Sequence, residues 1–205
     1  MTELIAVVTI TLLAVISPGP DFAMVSRNGL LLSRRAGMLT ACGIGAGVLV
    51  HVSYTLVGVG VLIQQSLWLF NLLKGIGAAY LIYLGIKLLR NAARHADAAE
   101  APAAAIGDFA ALKTGFLTNV LNPKTTIFIV SLFMQVVDPH TSLGVQIGYG
   151  LFIAAAHVLW FSAVALLFSA PGINARFLRL RTGIDRAFGG LLIAFGALLA
   201  IAGIK

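Results

Sequence analysis

The chain has 205 residues, is 60% hydrophobic and 10% charged, and has a mean hydropathy of +1.00. A soluble domain carries about 25% charged residues, so this composition excludes an ordinary water-soluble fold and points to an all-α integral membrane protein. The net charge of +7 is not a nucleic-acid signature, because most Lys and Arg fall in short gaps between apolar runs, as the positive-inside rule requires.

Six spanning segments are expected, at 4–26, 37–63, 68–90, 113–137, 144–169 and 186–204. Each is near the length, about 20 residues, that crosses the hydrocarbon core. The first is not expected to be a signal peptide: the earliest basic residue is Arg27, and Glu3 stands where a basic n-region would be. Within it, "SPGPDF" (Ser17–Phe22) interrupts the helix. Segment 2 carries Gly43 and Gly47 with Gly37, Gly45, Gly58 and Gly60, and segment 5 carries Gly144, Gly148 and Gly150. Such glycines thin a helix for close packing, within the chain or between copies in a homo-oligomer. The lone cysteine, Cys42, allows no disulfide or CxxC pair in one chain and reads as a small packing residue.

The gap after segment 3 is the long one. Residues 91–112 are Ala-rich, charged and weakly patterned, which reads as a linker between two halves, 1–90 and 113–205, of a single transmembrane domain. The gaps at 27–36, 87–113 and 176–186 hold Arg27, Arg34, Arg35, Lys87, Arg90, Arg94, Lys113, Arg176, Arg179, Arg181 and Arg186. These gaps are expected in the cytoplasm, with both termini on the periplasmic side of a bacterial inner membrane. Lys74 enters segment 3 from the other side and is expected to snorkel.

The halves resemble each other. "LLAVISPGPDFAMVS" (Leu12–Ser26) lies over "LTNVLNPKTTIFIVS" (Leu117–Ser131), matching Leu with Leu, Val15 with Val120, Pro18 with Pro123 and Ser26 with Ser131. His51 and His157 sit in corresponding helices. Three segments is an odd number, so the second half must enter from the opposite face. The expected fold is therefore two inverted three-helix repeats, as in many secondary transporters, with helices 1 and 4 broken at SPGP and NPK.

Proline removes a backbone donor and clashes with the preceding turn. Ser17-Pro18 and Asn122-Pro123 each pair an N-cap residue with a proline suited to the first helical position. Each broken segment thus reads as two half-helices, the second starting at its proline. Pro18 should lie roughly 13 Å from the cytoplasmic edge at Arg27, and Pro123 roughly 15 Å from Lys113. Both breaks then meet near mid-membrane, each aiming a partly positive N-terminus inward.

Asp21 and Lys124 sit at those breaks. A charge at this depth costs about 2.5–3.5 kcal/mol on insertion scales. Asp21 complements a helix dipole, whereas Lys124 has the wrong sign for a helix N-terminus and invites an anion. Two readings are equally open: the two residues pair with each other, or they hold the ends of a free amino acid, ammonium at Asp21 and carboxylate at Lys124. His51 and His157 are either satisfied core residues, the commoner case, or proton carriers beside Asp21. Asn119 and Asn122 offer donors and acceptors at the second break. Tyr54, Tyr80, Tyr83, Phe128 and Trp160 read as packing residues. There is no P-loop, HExxH or CxxC pattern, so neither an enzyme nor a cofactor or metal centre is expected.

The paired motifs "SPGPDFAMVS" and "GFLTNVLNPKTTIFIVSLF" resemble those of the LysE/RhtB amino-acid exporter family, and most nearly its threonine and homoserine exporters. The resemblance covers the whole chain. It implies export of small neutral amino acids from the bacterial cytoplasm by proton antiport, with the bilayer, protons and the amino acid as partners. Basic or hydrophobic amino acids, and less readily a cation or metal, are the alternatives within transport. An assembly factor that moves no solute is the alternative outside it. The residues that carry over are Ser17, Pro18, Gly19, Pro20, Asp21, Asn119, Asn122, Pro123 and Lys124.

Overall fold

The computed structural model describes residues 2–58, 66–97, 106–138, 140–170 and 181–201. Among these residues all regular structure is helical: α1 (Thr2–Ile16), α2 (Pro20–Leu31), α3 (Arg34–Leu56), α4 (Leu67–Asp97), α5 (Asp108–Val120), α6 (Pro123–Gln135), α7 (Leu143–Phe168) and α8 (Arg181–Ile201). Helices α3 and α7 are each long and apolar enough to span a bilayer, and the pairs α1–α2 and α5–α6 qualify as two broken spans. The bends between the half-helices are 56° and 57°.

Both breaks fall where proline chemistry demands them, but the first restarts later than expected. The residue before a proline is pushed out of the α region. Pro18 therefore ends α1 at Ile16, and Pro20 in turn forces Gly19 into an extended conformation (φ −167°, ψ −167°). The new helix can begin only at Pro20, with Gly19 as its N-cap, not at Pro18 with Ser17 as cap. The second break follows the expectation. Asn122 is the N-cap (φ −86°, ψ 105°), Pro123 occupies the first turn, and the Asn122 side chain accepts from the Lys124 N–H.

Other differences lie at the segment ends. Helix α2 runs on to Leu31, so Arg27 is buried within a helix, not in a gap between segments, and donates to Asn28 Oδ1 at 3.0 Å. The turn to α3 is made at Leu32–Ser33, where Ser33 caps α3 by accepting from Ala36 N–H. Part of the expected linker is helical, because α4 continues to Asp97 and α5 begins at Asp108. Arg35 reaches Asp108 there with two hydrogen bonds of 2.8 and 2.6 Å. Residues 59–65, 98–105 and 171–180, and with them Gly60, Arg176 and Arg179, lie outside the described residues, as do the side chains of Lys74 and Arg94.

The core forms around α3. One cluster joins Val48 and Val52 of α3 to Ile129, Leu132 and Phe133 of α6 and Ile153 of α7. A second joins Ala41 and Ile44 to Val25 of α2 and Phe161, Val164 and Ala165 of α7. A third joins Ala23 and Met24 to Leu81, Leu84 and Leu88 of α4 and Leu192 of α8. Large apolar side chains such as Leu13, Leu159 and Leu198 face outward, as lipid contact requires. Cys42 is also on the exposed face of α3 and not in the packing.

Glycine makes the central contacts possible. A Cβ on Gly43 would fall on the Leu112 carbonyl oxygen, one on Gly115 on the Thr40 carbonyl oxygen, and one on Gly47 would come within 2.7 Å of Asn119 Oδ1. The Gly43–Gly47 step therefore seats α3 on α5 inside the chain. Gly85 of α4 and Gly189 of α8 meet reciprocally: a Cβ on either would come within 2.6 and 2.9 Å of the other's carbonyl oxygen. In segment 5 Gly150 abuts Val52, whereas Gly144 and Gly148 have open space beside them among the described residues. Backbone at Gly43 cannot yield to a side chain. Gly43→Val should lower stability by about 1–3 kcal/mol or more through overpacking, whereas Gly148→Ala should raise it slightly through helix propensity. Thermal unfolding of the detergent-solubilised variants checks both.

Candidate functional site

The two breaks face each other across a cleft. It is lined by Ala14, Val15, Ser17, Gly19, Asp21 and Phe22 from the first motif and Asn122, Lys124, Thr125 and Phe128 from the second, with His157 and Phe161 of α7 completing the wall. Its empty space is about 350 Å³, open mouth included.

Asp21 lies in the first turn of α2 and is 6% exposed. Its Oδ2 accepts from Asn119 Nδ2 at 2.8 Å and from Asn122 Nδ2 at 3.3 Å. Its Oδ1 is buried and, among the described residues, has no hydrogen-bond partner. A buried carboxylate oxygen without a donor is costly. Both donors on Oδ2 come from the opposite motif.

Lys124 does not pair with Asp21. Its ammonium is exposed at the cleft and donates to the Ser17 carbonyl oxygen at 2.8 Å. The Ser17 carbonyl is one of those that the end of α1 leaves without an intrahelical donor. The expected alternative of a direct ion pair is thus not adopted: each charge is held by neutral groups of the opposite motif, Asp21 by two amides and Lys124 by a carbonyl. Gly19 sits beside Lys124, with space for a Cβ 3.6 Å from Nζ.

The two half-helix starts are not equivalent. At α6 the first N–H groups are taken, Lys124 N–H by Asn122 Oδ1 at 3.1 Å and Thr125 and Thr126 N–H by the Asn122 carbonyl at 3.0 and 3.1 Å. At α2 the cap is a glycine, which has no side chain to accept from the first turn. Among the described residues, the Asp21 and Phe22 N–H groups have no acceptor outside their own helix. The positive helix end that remains open is therefore that of α2.

The sequence matches a known family over nearly the whole chain: LysE type translocator, across residues 12–203. The chain belongs to the LysE family. It is 32% identical over 200 residues to the threonine efflux protein of Escherichia coli K12, covering 96% of this chain and 97% of that protein. It is 36% identical over 135 residues to the leucine efflux protein of Salmonella choleraesuis, covering 63% of this chain and 62% of that one. An uncharacterized membrane protein of Vibrio cholerae is 30% identical over 188 residues, 91% of each chain. No solved structure matches. The protein is an integral membrane transporter and not an enzyme.

The residues of the two motifs and the two histidines divide by position. Ser17, Gly19, Asp21, Asn122, Lys124 and His157 line the cleft. Pro18, Pro20 and Pro123 shape the breaks and do not line it. Asn119 is fully buried behind Asp21, where its amide also reaches Thr125 Oγ1 at 3.3 Å. His51 lies deeper still, with Nε2 3.0 Å from the Asn119 carbonyl oxygen and Nδ1 2.5 Å from the Tyr54 hydroxyl. His157 donates from Nδ1 to the Ile153 carbonyl at 2.8 Å, which leaves Nε2 as the acceptor of the neutral ring.

Sequence reasoning missed Phe22, Thr125 and Phe161 as lining residues and took Phe128 for packing alone. Phe22 follows Asp21 directly, and Thr125 and Phe128 lie one and four positions beyond Lys124. One helical turn counted from each motif would have found them. Phe161 comes from α7 and carried no local signal.

Asn122 has two tasks, capping α6 through Oδ1 and holding Asp21 through Nδ2. Asn122→Ala should therefore cost more than a lost cap alone, about 1–3 kcal/mol. Asn122→Asp, which keeps the cap but sets a second carboxylate against Asp21, should be at least as damaging. Melting temperatures of the purified variants decide this.

Proposed function

We propose that this LysE-family protein exports small neutral amino acids, of the threonine or homoserine kind, from the bacterial cytoplasm in exchange for protons. The observation that carries the reading is Asp21 Oδ1, buried and, among the described residues, without a donor, in a cleft that also holds the Lys124 ammonium. An α-amino acid supplies both missing partners. Its ammonium satisfies Asp21. Its carboxylate draws Lys124 from the Ser17 carbonyl and takes the open N–H groups at the start of α2. Thr125 is placed to meet a hydroxyl, and Phe22, Phe128 and Phe161 to cover an uncharged side chain. The names of the threonine and leucine efflux relatives support an amino-acid substrate.

Asp21 can hold either the ammonium or a proton, which is the exchange that antiport requires, and His157 on the same wall is a second proton carrier. The architecture is read as six spans in two inverted repeats, supported by the matching bends of 56° and 57° and by the reciprocal Gly85–Gly189 contact. The breaks at Pro18, Pro20 and Pro123 then serve as hinges, with the exposed Arg34, Arg35, Lys87, Arg90 and Lys113 on the cytoplasmic side.

Counterflow of labelled L-threonine in proteoliposomes, at imposed pH gradients and against a panel of amino acids, tests the reading. Absence of exchange with any neutral amino acid would sink it. Lys124→Ala should raise the apparent KM roughly ten- to hundredfold, the worth of a charge-assisted hydrogen bond. Asp21→Asn should remove the dependence of export on the pH gradient, and an unchanged dependence would place proton coupling elsewhere.

A further inference from the structure

In an unbroken helix the Asn119 carbonyl would accept the N–H of residue 123, four positions on. Residue 123 is proline and has no N–H. The carbonyl keeps a short local donor, Asn122 N–H at 2.8 Å, and a carbonyl oxygen has a second lone pair to satisfy. His51 of α3 fills that place from 68 positions away, with Nε2 3.0 Å from the oxygen. A carbonyl can only accept, so Nε2 carries the proton. Nδ1 of the neutral ring is then an acceptor, and the Tyr54 hydroxyl, one turn along α3, donates to it at 2.5 Å. Thr126 Oγ1 stands 3.5 Å from the same nitrogen. Both ring nitrogens are engaged, and His51 is 1% exposed and does not line the cleft.

The other end of Asn119 explains why this matters. Its side-chain amide makes the shorter of the two hydrogen bonds that orient Asp21. Gly47, one turn before His51, brings α3 so close that a Cβ there would sit 2.7 Å from Asn119 Oδ1. Asn119 is thus pinned from α3 at its backbone and confined by α3 at its side chain.

We infer that His51 is a positioning residue: its Nε2–H replaces the hydrogen bond that Pro123 cannot make to the Asn119 carbonyl, and so holds the Asn119 amide against Asp21. The inference rests on Asp21 as the substrate-facing group of the exporter reading. His51 touches no substrate. It acts as a donor of fixed tautomer, and that separates this role from proton carriage.

The variants His51→Gln and His51→Leu separate the two roles. Glutamine places an amide N–H near the position of Nε2 but does not titrate; leucine fills the space and donates nothing. In counterflow of L-threonine, His51→Leu should lose about ten- to a hundredfold in rate, the scale of a misplaced binding group, while His51→Gln recovers most of it and keeps the wild-type dependence on the pH gradient. If glutamine is as damaging as leucine, or if leucine matches the wild type, the inference fails. Nitrogen-15 NMR of histidine-labelled protein in detergent gives a second readout that needs no transport. The resonances absent from His51→Gln should show the proton on Nε2 and a bare Nδ1, and a proton on Nδ1 instead would overturn the assignment. If the wild type moves no neutral amino acid, the exporter reading falls, while the NMR still decides the tautomer of His51.

Discussion

A proline in an apolar helix leaves a carbonyl without its donor, and in a bilayer no water stands ready to replace it. Much of the centre of this protein is arranged around that constraint. Three prolines in two motifs break two helices. Backbone carbonyls at the breaks gain side-chain donors from across the molecule: the Ser17 carbonyl from Lys124, and the Asn119 carbonyl from His51 in addition to its local Asn122 N–H. Each break is stitched by a side chain of another element, so neither motif is complete alone.

The same stitching creates the chemistry. Because Lys124 is occupied by a neutral carbonyl and Asp21 by two neutral amides, the two charges are near each other without cancelling. A direct ion pair would be a poor binding site, since a ligand would have to break it first. Neutral partners can be released more cheaply, and Asp21 Oδ1 has none to release. The difference between the half-helix starts adds direction. Asn122 closes the end of α6, while the glycine cap leaves α2 open on the cleft side.

Close helix approach is the second requirement, and glycine supplies it. Gly43, Gly47 and Gly115 let α3 and α5 meet backbone to backbone, which is what brings His51 within reach of Asn119. A larger residue at Gly47 would push against Asn119 itself. The packing glycines and the binding motifs are therefore parts of one device, although they lie on different helices.

The sequence by itself determined the class, the helical content, the two break points and the charged residues at them. These are local matters: hydropathy over about 20 residues marks a span, and proline's missing donor acts on its immediate neighbours. It even contained the correction at the first break, since Pro20 must displace Gly19 from the α region and delay the restart. It could not say that Asp21 and Lys124 stand apart, that Gly43 meets α5 while Gly148 has open space beside it among the described residues, or that Arg27 is buried. Nor could it show that Phe161 joins the cleft or that His51 caps a broken helix 68 residues away. Those depend on which side chains of distant helices come within about 3 Å, and only the packed tertiary structure sets that distance.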